Sequence, residues 1–233
     1  MSEAHPPVAV VTGGATGIGR AVGELLVSRG WQVRAIGLDS DSDLPEGISF
    51  VRADVSDPDA LRTAVEDLGP VSALVTAAAV LRDDEWLPAS FDRVLEINVT
   101  GVLAVAELLR SRLADAGGAI VNFASMWSYF GSIGAPAYAA SKGAIVALTR
   151  SQAVAYAAEG IRVNAVAPGW IETPMSRRAR NDAERYSRIT TRIPLARWGT
   201  AAEVAAAIGF LVSTEASYVT GSVLDVDGGY SIG

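Results

Sequence analysis

The sequence contains no cysteine, one histidine and one lysine among its 233 residues. The absence of cysteine excludes a disulfide framework and thiolate chemistry. The only histidine, His5, stands near the first residue and directly before Pro6. Most catalytic triads and most histidine-based metal sites are therefore excluded as well. We expect a protein that works without a metal ion and without a reactive thiol.

Positive charge is also scarce, because 19 basic residues stand against 26 acidic ones. The net charge of −7 and the pI near 4.8 argue against a general nucleic-acid-binding protein, which needs a basic surface. No uninterrupted apolar run reaches the roughly 18 residues of a membrane span, and the first residues lack the basic start of a signal peptide. The sequence predicts a soluble cytoplasmic protein without nucleic-acid or membrane partners.

Short β-branched runs alternate with helical patterns along the chain, and half of the residues are apolar. This alternation is typical of βαβ units and predicts a mostly parallel, seven-stranded sheet with helices on both faces. The predicted strands are Val8–Val11, Gln32–Ile36, Ile48–Val51, Val71–Val75, Ala119–Phe123, Arg162–Val166 and Ser222–Val226. We interpret residues 1–233 as a single α/β domain. An acidic loop, Asp39–Gly47, stands where a crossover helix would join the second and third strands.

The single lysine, Lys142, stands four residues after Tyr138, whereas arginine supplies the other 18 basic residues. Residues four apart lie on one face of a helix, so a phenol and an ammonium would lie side by side. Because a nearby positive charge stabilises phenolate, we expect Lys142 to lower the pKa of Tyr138. The pair would then serve as a proton donor and acceptor. The alternative is a surface lysine that survived by chance.

A glycine-rich segment, Thr12–Gly19, directly follows the first predicted strand and opens the first helix. Glycines at this point let the backbone turn tightly and approach a pyrophosphate, which binds at the helix N-terminus. After the first strand of an alternating α/β chain, this pattern indicates a dinucleotide-binding site.

These motifs, together with Asn98 and Ser125, resemble the TGxxxGIG and YxxxK pattern of the short-chain dehydrogenase/reductase family, essentially from end to end. The resemblance implies a doubly wound Rossmann fold and a catalytic tetrad. Tyr138 would exchange a proton with the substrate oxygen, which Ser125 would orient. Lys142 would hold the nicotinamide ribose, and Asn98 would anchor a proton-relaying water. The implied cofactor-binding residues are Gly13, Thr16, Gly17, Ile18, Gly19, Asp39, Asp54, Val55, Ala77, Tyr138, Lys142, Pro168, Ile171 and Thr173.

The sequence departs from this family pattern after the fourth predicted strand, where relatives carry Asn-Asn-Ala-Gly. The segment here reads Thr76-Ala77-Ala78-Ala79. The asparagine side chains that usually brace the sheet are missing, and so is the glycine that lets the cofactor approach. Because alanine is small, we expect cofactor binding to survive.

The end of the second strand favours NAD over NADP. In the family an acidic residue usually occupies the place of Gly37, and here the first acid, Asp39, follows two positions later. Thr16 stands where a basic residue could bind a 2′-phosphate, and four acids between positions 39 and 46 would repel one. Arg34 or Arg52 could reverse the choice by turning toward the ribose, and the acids could instead form a solvated loop.

Segment 170–198 is expected to form a lid over the substrate. Four apolar side chains would line the substrate pocket, although each could instead pack in the core or at a subunit interface: Met126, Trp127, Trp170 and Met175. Seven arginines and two acids between positions 174 and 197 give this segment a charge of +5. That charge could attract a carboxylate, a phosphopantetheine arm or an acidic carrier protein, or it could be paired with acids elsewhere.

The sequence thus predicts an NAD(P)-dependent oxidoreductase that interconverts a secondary alcohol and a ketone by hydride transfer. One alternative is a 3-oxoacyl-thioester (acyl carrier protein) reductase that uses NADPH; dihydrodiol and polyol dehydrogenases also stay open. A non-catalytic cofactor-binding protein would be expected to lose Tyr138 or Lys142.

Apolar surface on the helices around Ala104–Leu113 and Ile145–Ala157 and on the last strand predicts a homotetramer, or at least a dimer.

Overall fold

The computed structural model describes residues 6–233, so His5 lies outside the described residues. Its central element is one seven-stranded sheet, and every neighbouring pair of strands is parallel. The strands are β1 Val8–Thr12, β2 Gln32–Gly37, β3 Ile48–Arg52, β4 Ala73–Thr76, β5 Ala119–Phe123, β6 Arg162–Pro168 and β7 Val223–Val226. Their order in the sheet is β3-β2-β1-β4-β5-β6-β7. The predicted seven-stranded α/β fold is confirmed, and the sheet is wholly parallel.

Helices cover both faces of the sheet. They are α1 Gly17–Ser28, α2 Pro58–Val65, α3 Pro88–Leu95, α4 Gly101–Ala116, α5 Pro136–Tyr156, α6 Arg177–Arg180, α7 Ala183–Arg192 and α8 Ala201–Leu211. Apolar residues of α1 and α8 pack on one face, and those of α2, α4 and the end of α5 pack on the other. Strands that are buried on both faces explain why the strand segments read as apolar runs rather than as alternating patterns.

Local signals in the sequence explain where several elements begin. The carboxylate of Asp57 accepts hydrogen bonds from the backbone N–H groups of Asp59 and Ala60, and Pro58 occupies the first helical position of α2. Residues 38–47 join β2 to β3 without a helix, as the sequence predicts. No helix of the described residues is long and apolar enough to cross a membrane.

The strand order places a crevice at one edge of the sheet. The chain runs outward from β1 to β3 in one direction and from β4 to β7 in the other. Because the connections after β1 and β4 leave on opposite sides of the sheet, they open a cleft above the carboxyl ends of these two strands. The glycine-rich turn after β1 and the alanine segment after β4 pack against each other and both line this cleft.

Candidate active site

A cavity of about 1110 Å³ lies at the carboxyl edge of the sheet. Its walls are the turns after β1 to β6, the beginning of α5 and segment 170–198. It is lined by every sequence-predicted cofactor residue: Gly13, Thr16, Gly17, Ile18, Gly19, Asp39, Asp54, Val55, Ala77, Tyr138, Lys142, Pro168, Ile171 and Thr173. Ser125 and the four predicted pocket residues, Met126, Trp127, Trp170 and Met175, line the same cavity. Asn98 is the one predicted site residue that lies behind the wall.

The glycine-rich turn is packed too closely to accept larger side chains. Gly13 has a φ of +65°, and a Cβ added there would lie 2.8 Å from the backbone nitrogen of Ala78. A Cβ on Gly19 would lie 2.1 Å from the carbonyl oxygen of Gly13. No side chain caps the N-terminus of α1, and its first turn carries no acid. Backbone N–H groups therefore face the cavity without a competing side chain, which fits the pyrophosphate of a dinucleotide.

A buried polar network braces the sheet where the family asparagines are missing. The Thr76 hydroxyl donates to Asn122 Oδ1 at 3.0 Å, and Asn122 Nδ2 donates to Thr149 and Gln152 at 3.1 and 2.9 Å. All four side chains are buried. Thr76 thus links β4 to β5 and α5, and the small side chains of the following alanines leave the cavity open.

The adenosine end of the cavity is acidic but less so than the loop sequence implies. Gly37 and Asp39 line it. Arg20 forms ion pairs with Asp41 and Asp43 at 2.9 and 2.7 Å, so two of the four loop acids already have a cationic partner. The expectation that all four acids repel a 2′-phosphate is therefore too strong, and the case for NAD depends mainly on Asp39.

Arg34, one of the two residues that could reverse the cofactor choice, points away from the ribose position. Its guanidinium donates two hydrogen bonds to the carboxylate of Asp67 at 3.0 and 2.8 Å, and one to the carbonyl of Ala64 at 2.6 Å. These contacts hold Arg34 beside α2. Arg52, at the end of β3, is exposed.

Three predicted catalytic side chains meet at the wall of the cavity. Ser125 follows β5 and starts a short 3-10 turn, in which its hydroxyl accepts a hydrogen bond from the N–H of Trp127 at 3.2 Å. The same hydroxyl lies close enough to the phenol of Tyr138 to lower its pKa, against the larger effect of burial. Lys142 is buried one turn further along α5, with its Nζ 5.3 Å from the centre of the Tyr138 ring. The helical spacing of Tyr138 and Lys142 thus places both on the cavity side of α5.

The electrostatics of the pair differ from the sequence-based expectation. Burial raises the pKa of Tyr138 to about 12, against a smaller opposing effect of the hydrogen bond with Ser125. Burial also lowers the pKa of Lys142 to about 7, and Lys142 Nζ donates to the carbonyl of Phe123 at 2.7 Å. The pKa of Tyr138 is thus shifted upward rather than downward as expected, because desolvation of the buried phenol is the largest cause.

Asn98 connects the wall of the cavity to the catalytic helix. It lies in a π-helical turn, Glu96–Thr100, between α3 and α4. Its Oδ1 accepts a hydrogen bond from the N–H of Val80 at 2.8 Å. Its Nδ2 donates to the carbonyl of Val80 at 3.0 Å and to the Ser141 hydroxyl at 3.1 Å. Ser141 in turn donates to the carbonyl of Tyr138 at 2.7 Å. Asn98 bonds distant elements rather than its own backbone, which places it to hold the segment after β4 against α5.

Glu85 is a residue of this site that the sequence analysis missed. Its side chain is completely buried, and its Oε2 accepts a hydrogen bond from the backbone N–H of Tyr138 at 2.8 Å. Its Oε1 accepts from the N–H of Arg82 at 3.0 Å, which closes the short loop after β4. An acid at the N-terminus of a helix is stabilised by the unpaired N–H groups there. No spacing rule connects residue 85 to α5, so only the tertiary structure reveals this contact.

Segment 170–198 folds over the cavity as two short helices, α6 and α7. Backbone hydrogen bonds join its two ends: Gly199 N–H to Trp170 O and Glu172 N–H to Gly199 O, both at 2.9 Å. Aromatic rings form its inner side. The Trp170 ring lies edge-on to Trp127, with 6.5 Å between the ring centres, and its centre is 5.2 Å from that of Trp198. Tyr186 stacks on Trp198, with 5.1 Å between the ring centres. The expected apolar wall is present, and Met126 is buried in the same cluster.

The arginines of this segment fall into two groups. Arg178 pairs with Asp83 at 2.7 Å, Arg197 pairs with Glu203, and Arg192 donates to the Tyr230 hydroxyl at 3.1 Å. Arg178 also lines the cavity, together with Arg185 and Arg188, which have no such carboxylate partner within residues 6–233. The expectation that these arginines are paired with acids elsewhere thus holds for only part of the group.

Comparisons with known proteins agree on one family. A family model described as enoyl-(acyl carrier protein) reductase matches residues 13–231. The chain is 41% identical to cis-4-hydroxycyclohexanecarboxylate dehydrogenase of Sinomonas cyclohexanicum, over 99% of either chain. It is 35% identical to the 3-oxoacyl-(acyl-carrier-protein) reductase FabG of Salmonella typhimurium, over 95% of this chain and 96% of that one. The ligand-free aldohexose dehydrogenase of Thermoplasma acidophilum superposes with a TM-score of 0.91 at 31% identity, covering 98% and 95% of the two chains.

Proposed function

The chain belongs to the short-chain dehydrogenase/reductase family and is an oxidoreductase acting on CH–OH groups, and we propose that it interconverts a secondary alcohol and a ketone with NAD as its cofactor. The observation that carries the proposal is that Ser125, Tyr138 and Lys142 line the same cavity as the glycine-rich turn. Two hydroxyl groups there converge on a position where one substrate oxygen can bind both.

Ser125 and Tyr138 have different roles in the proposed reaction. Bound NAD(P) supplies hydride to the carbonyl carbon in reduction and accepts it from the carbinol carbon in oxidation. In reduction, Ser125 donates a hydrogen bond to the carbonyl oxygen, and Tyr138 transfers its proton to that oxygen as the C–H bond forms. In oxidation, the phenolate form of Tyr138 takes the proton of the substrate hydroxyl and becomes the neutral phenol. The raised pKa keeps Tyr138 protonated at neutral pH, which favours its role as the proton donor.

Lys142 and Asn98 support this chemistry from behind the reacting oxygen. The Lys142 Nζ lies beside the Tyr138 ring in the wall that a nicotinamide ribose would contact, so we assign it to the ribose hydroxyls. Asn98 is assigned to positioning, because its amide joins the segment after β4 to α5. In this proposal residues 1–233 act as one cytoplasmic domain.

The choice of NAD is supported by the acids and the lack of cations at the adenosine end. Among the described residues that line the cavity, the arginines are Arg178, Arg185 and Arg188, and all three belong to segment 170–198. Near Gly37 the lining residue with a charge is Asp39, whose carboxylate suits a 2′-hydroxyl and opposes a 2′-phosphate.

A second candidate, reduction of a 3-oxoacyl group carried by an acidic protein, is favoured by one observation. Arg177 and Arg178 line a recess on the outer side of α6, where a carrier protein could approach. The similarity to the Salmonella reductase is compatible with this function.

One experiment tests the proposed activity. Absorbance at 340 nm is followed with NADH and with NADPH across a panel of ketones, 3-oxoacyl thioesters and secondary alcohols, and the Tyr138→Phe enzyme serves as the inactive control. Turnover of a ketone or alcohol that is lost in the control supports the proposal. Failure of every substrate with both cofactors, by an enzyme that binds cofactor, contradicts it.

A further inference from the structure

Two arginines of α7, Arg185 and Arg188, line the catalytic cavity. Arg185 and Arg188 are three residues apart, so their side chains project from the same side of the helix. Asp182 and Glu184 are close in sequence, but the carboxylate of Asp182 accepts a hydrogen bond from the backbone N–H of Arg185, as a helix cap. Within residues 6–233, neither guanidinium has a carboxylate within ion-pair distance.

The acids that line the cavity do not neutralise these two charges. Asp54 is paired with Arg93 at 2.9 Å, and Asp83 is paired with Arg178 at 2.7 Å. Asp39 lies at the adenosine end, beyond the catalytic residues. The half of the cavity under α7 is therefore positively charged, whereas the rest of the chain carries an excess of acids.

An apolar wall joins this charged region to the reacting oxygen. The Ser125 hydroxyl is bonded to the N–H of Trp127, the Trp127 ring contacts Trp170, and the Arg185 guanidinium lies 5.9 Å from the Trp170 ring centre. The Trp170 indole N–H is buried without a hydrogen-bond partner in the described part of the chain. A molecule that fills this space would have its alcohol or ketone at Ser125, an apolar body along the tryptophans and an acceptor-rich group at α7.

We propose that Arg185 and Arg188 bind the carboxylate of a small hydroxy acid or oxo acid whose reacting carbon lies at Ser125 and Tyr138. The inference rests on the proposed alcohol–ketone activity and specifies its substrate class. Guanidinium groups form paired, charge-assisted hydrogen bonds with carboxylates. A small acid fits better than a carrier protein, because these two arginines line the catalytic cavity, where their side chains are also exposed to solvent, whereas Arg177 lines only the recess outside.

The test compares acids with their own neutral esters. Cyclic and linear secondary hydroxy acids are assayed beside their methyl esters, with wild type, Arg185→Gln, Arg188→Gln and the double variant. Arg177→Gln is the matched control, because it removes an arginine of the same segment from outside the catalytic cavity. For at least one acid we expect kcat/KM to exceed that of its ester by tenfold or more. Each single variant should lower the value for the acid by about 10- to 100-fold, mainly through KM.

The controls separate this inference from the activity on which it rests. The kcat/KM for the esters should change less than about twofold in the variants. Arg177→Gln should have the same kcat/KM as wild type for acids and esters. If every ester is used as well as its acid, or if the variants impair both equally, the inference is overturned while the oxidoreductase function stands. Preference for an acyl-carrier-protein thioester that is lost in Arg177→Gln also overturns it. Absence of turnover with any alcohol or ketone contradicts the proposed function itself.

Discussion

The carboxylate of Glu85 accepts a hydrogen bond from the backbone N–H of Tyr138, with 2.8 Å between Oε2 and the nitrogen. This buried acid therefore touches the residue to which we assign the proton exchange. Its negative charge contributes to the raised pKa of Tyr138, after the larger effect of burial. Glu85 thus combines two roles, as a cap for α5 and as a charge that favours the protonated phenol.

Glu85→Gln separates these roles, because glutamine keeps an acceptor oxygen and removes the charge. We expect the pKa of Tyr138 to fall, so that the alkaline limb of the kcat/KM profile moves to lower pH while the protein stays folded. Glu85→Ala should also lose about 0.5–2 kcal/mol of the free energy of unfolding through the missing cap. Asp84→Asn, which removes a neighbouring exposed acid, is the control. An unchanged alkaline limb in Glu85→Gln would show that the charge has no effect on Tyr138.

Tyr138→Phe should abolish most of the activity, because it removes the transferable proton and keeps the ring. We expect kcat to fall by about 10²- to 10⁴-fold, with cofactor binding nearly unchanged in a fluorescence titration. Tyr129→Phe is the matched control, since the Tyr129 hydroxyl bonds Asp225 and lies outside the cavity lining. Near wild-type turnover in Tyr138→Phe would disprove the assigned mechanism.

The pKa of Lys142 can be observed directly, because a protein labelled with [15N]lysine gives one side-chain signal. In the ligand-free protein we expect this signal to titrate near pH 7, well below an ordinary lysine. Between pH 7 and 10.5 the unfolded chain keeps the proton that the folded one has lost, so this group makes unfolding less favourable as pH rises. Lys142→Met should remove that part of the pH dependence. A titration near pH 10.5 would contradict the burial argument.

Lys142→Arg should also impair turnover, since a planar guanidinium does not fit the place of a compact ammonium beside Tyr138 and the Phe123 carbonyl. We expect kcat to fall by a larger factor than the affinity for the cofactor, whose adenosine part binds away from Lys142. Steady-state kinetics together with cofactor titration measure both. Full activity of Lys142→Arg would mean that only a positive charge is needed there.

NADH should bind more tightly than NADPH, by roughly tenfold, which corresponds to about 1.4 kcal/mol. A 2′-phosphate at this end would meet Asp39 without a cationic partner. Asp39→Ala should reduce the difference in affinity between NADH and NADPH. Asp43→Asn should leave it almost unchanged, because Asp43 is already paired with Arg20. Fluorescence titration with both reduced cofactors decides the matter, and equal or tighter binding of NADPH would refute the prediction.

We also predict self-association into a homotetramer, or at least a dimer. Val154 on α5 is 83% exposed and Tyr218 is fully exposed, while β7 is an edge strand with the half-exposed Leu224 facing outward. Such surfaces are usually covered by a symmetric partner. Light scattering at micromolar concentration measures the mass, and Val154→Glu should reduce it. A monomer mass for the wild type would contradict the prediction.

The strands and the motif residues could be predicted from sequence because each depends on local pattern. Parallel strands end at one edge of the sheet, so residues that follow β1, β4, β5 and β6 must converge there. Contacts between distant segments could not be predicted. The burial of Glu85, the pairing of Arg20 with Asp43 and the desolvation of Lys142 depend on how loops of no regular period pack onto the sheet.

The backbone bridge between Ile171 and Gly199 makes segment 172–198 a loop with adjoining ends. A Cβ on Gly199 would lie 2.7 Å from the Ile171 side chain, so this junction is tightly constrained. The strands and the catalytic helix α5 all lie outside this segment. One continuous segment thus contributes Met175, Arg185 and Arg188 to the cavity, whereas Ser125, Tyr138 and Lys142 lie outside it. Exchanging this segment between relatives should transfer substrate selectivity. Selectivity could thus evolve by replacement of this segment while the catalytic reaction is kept.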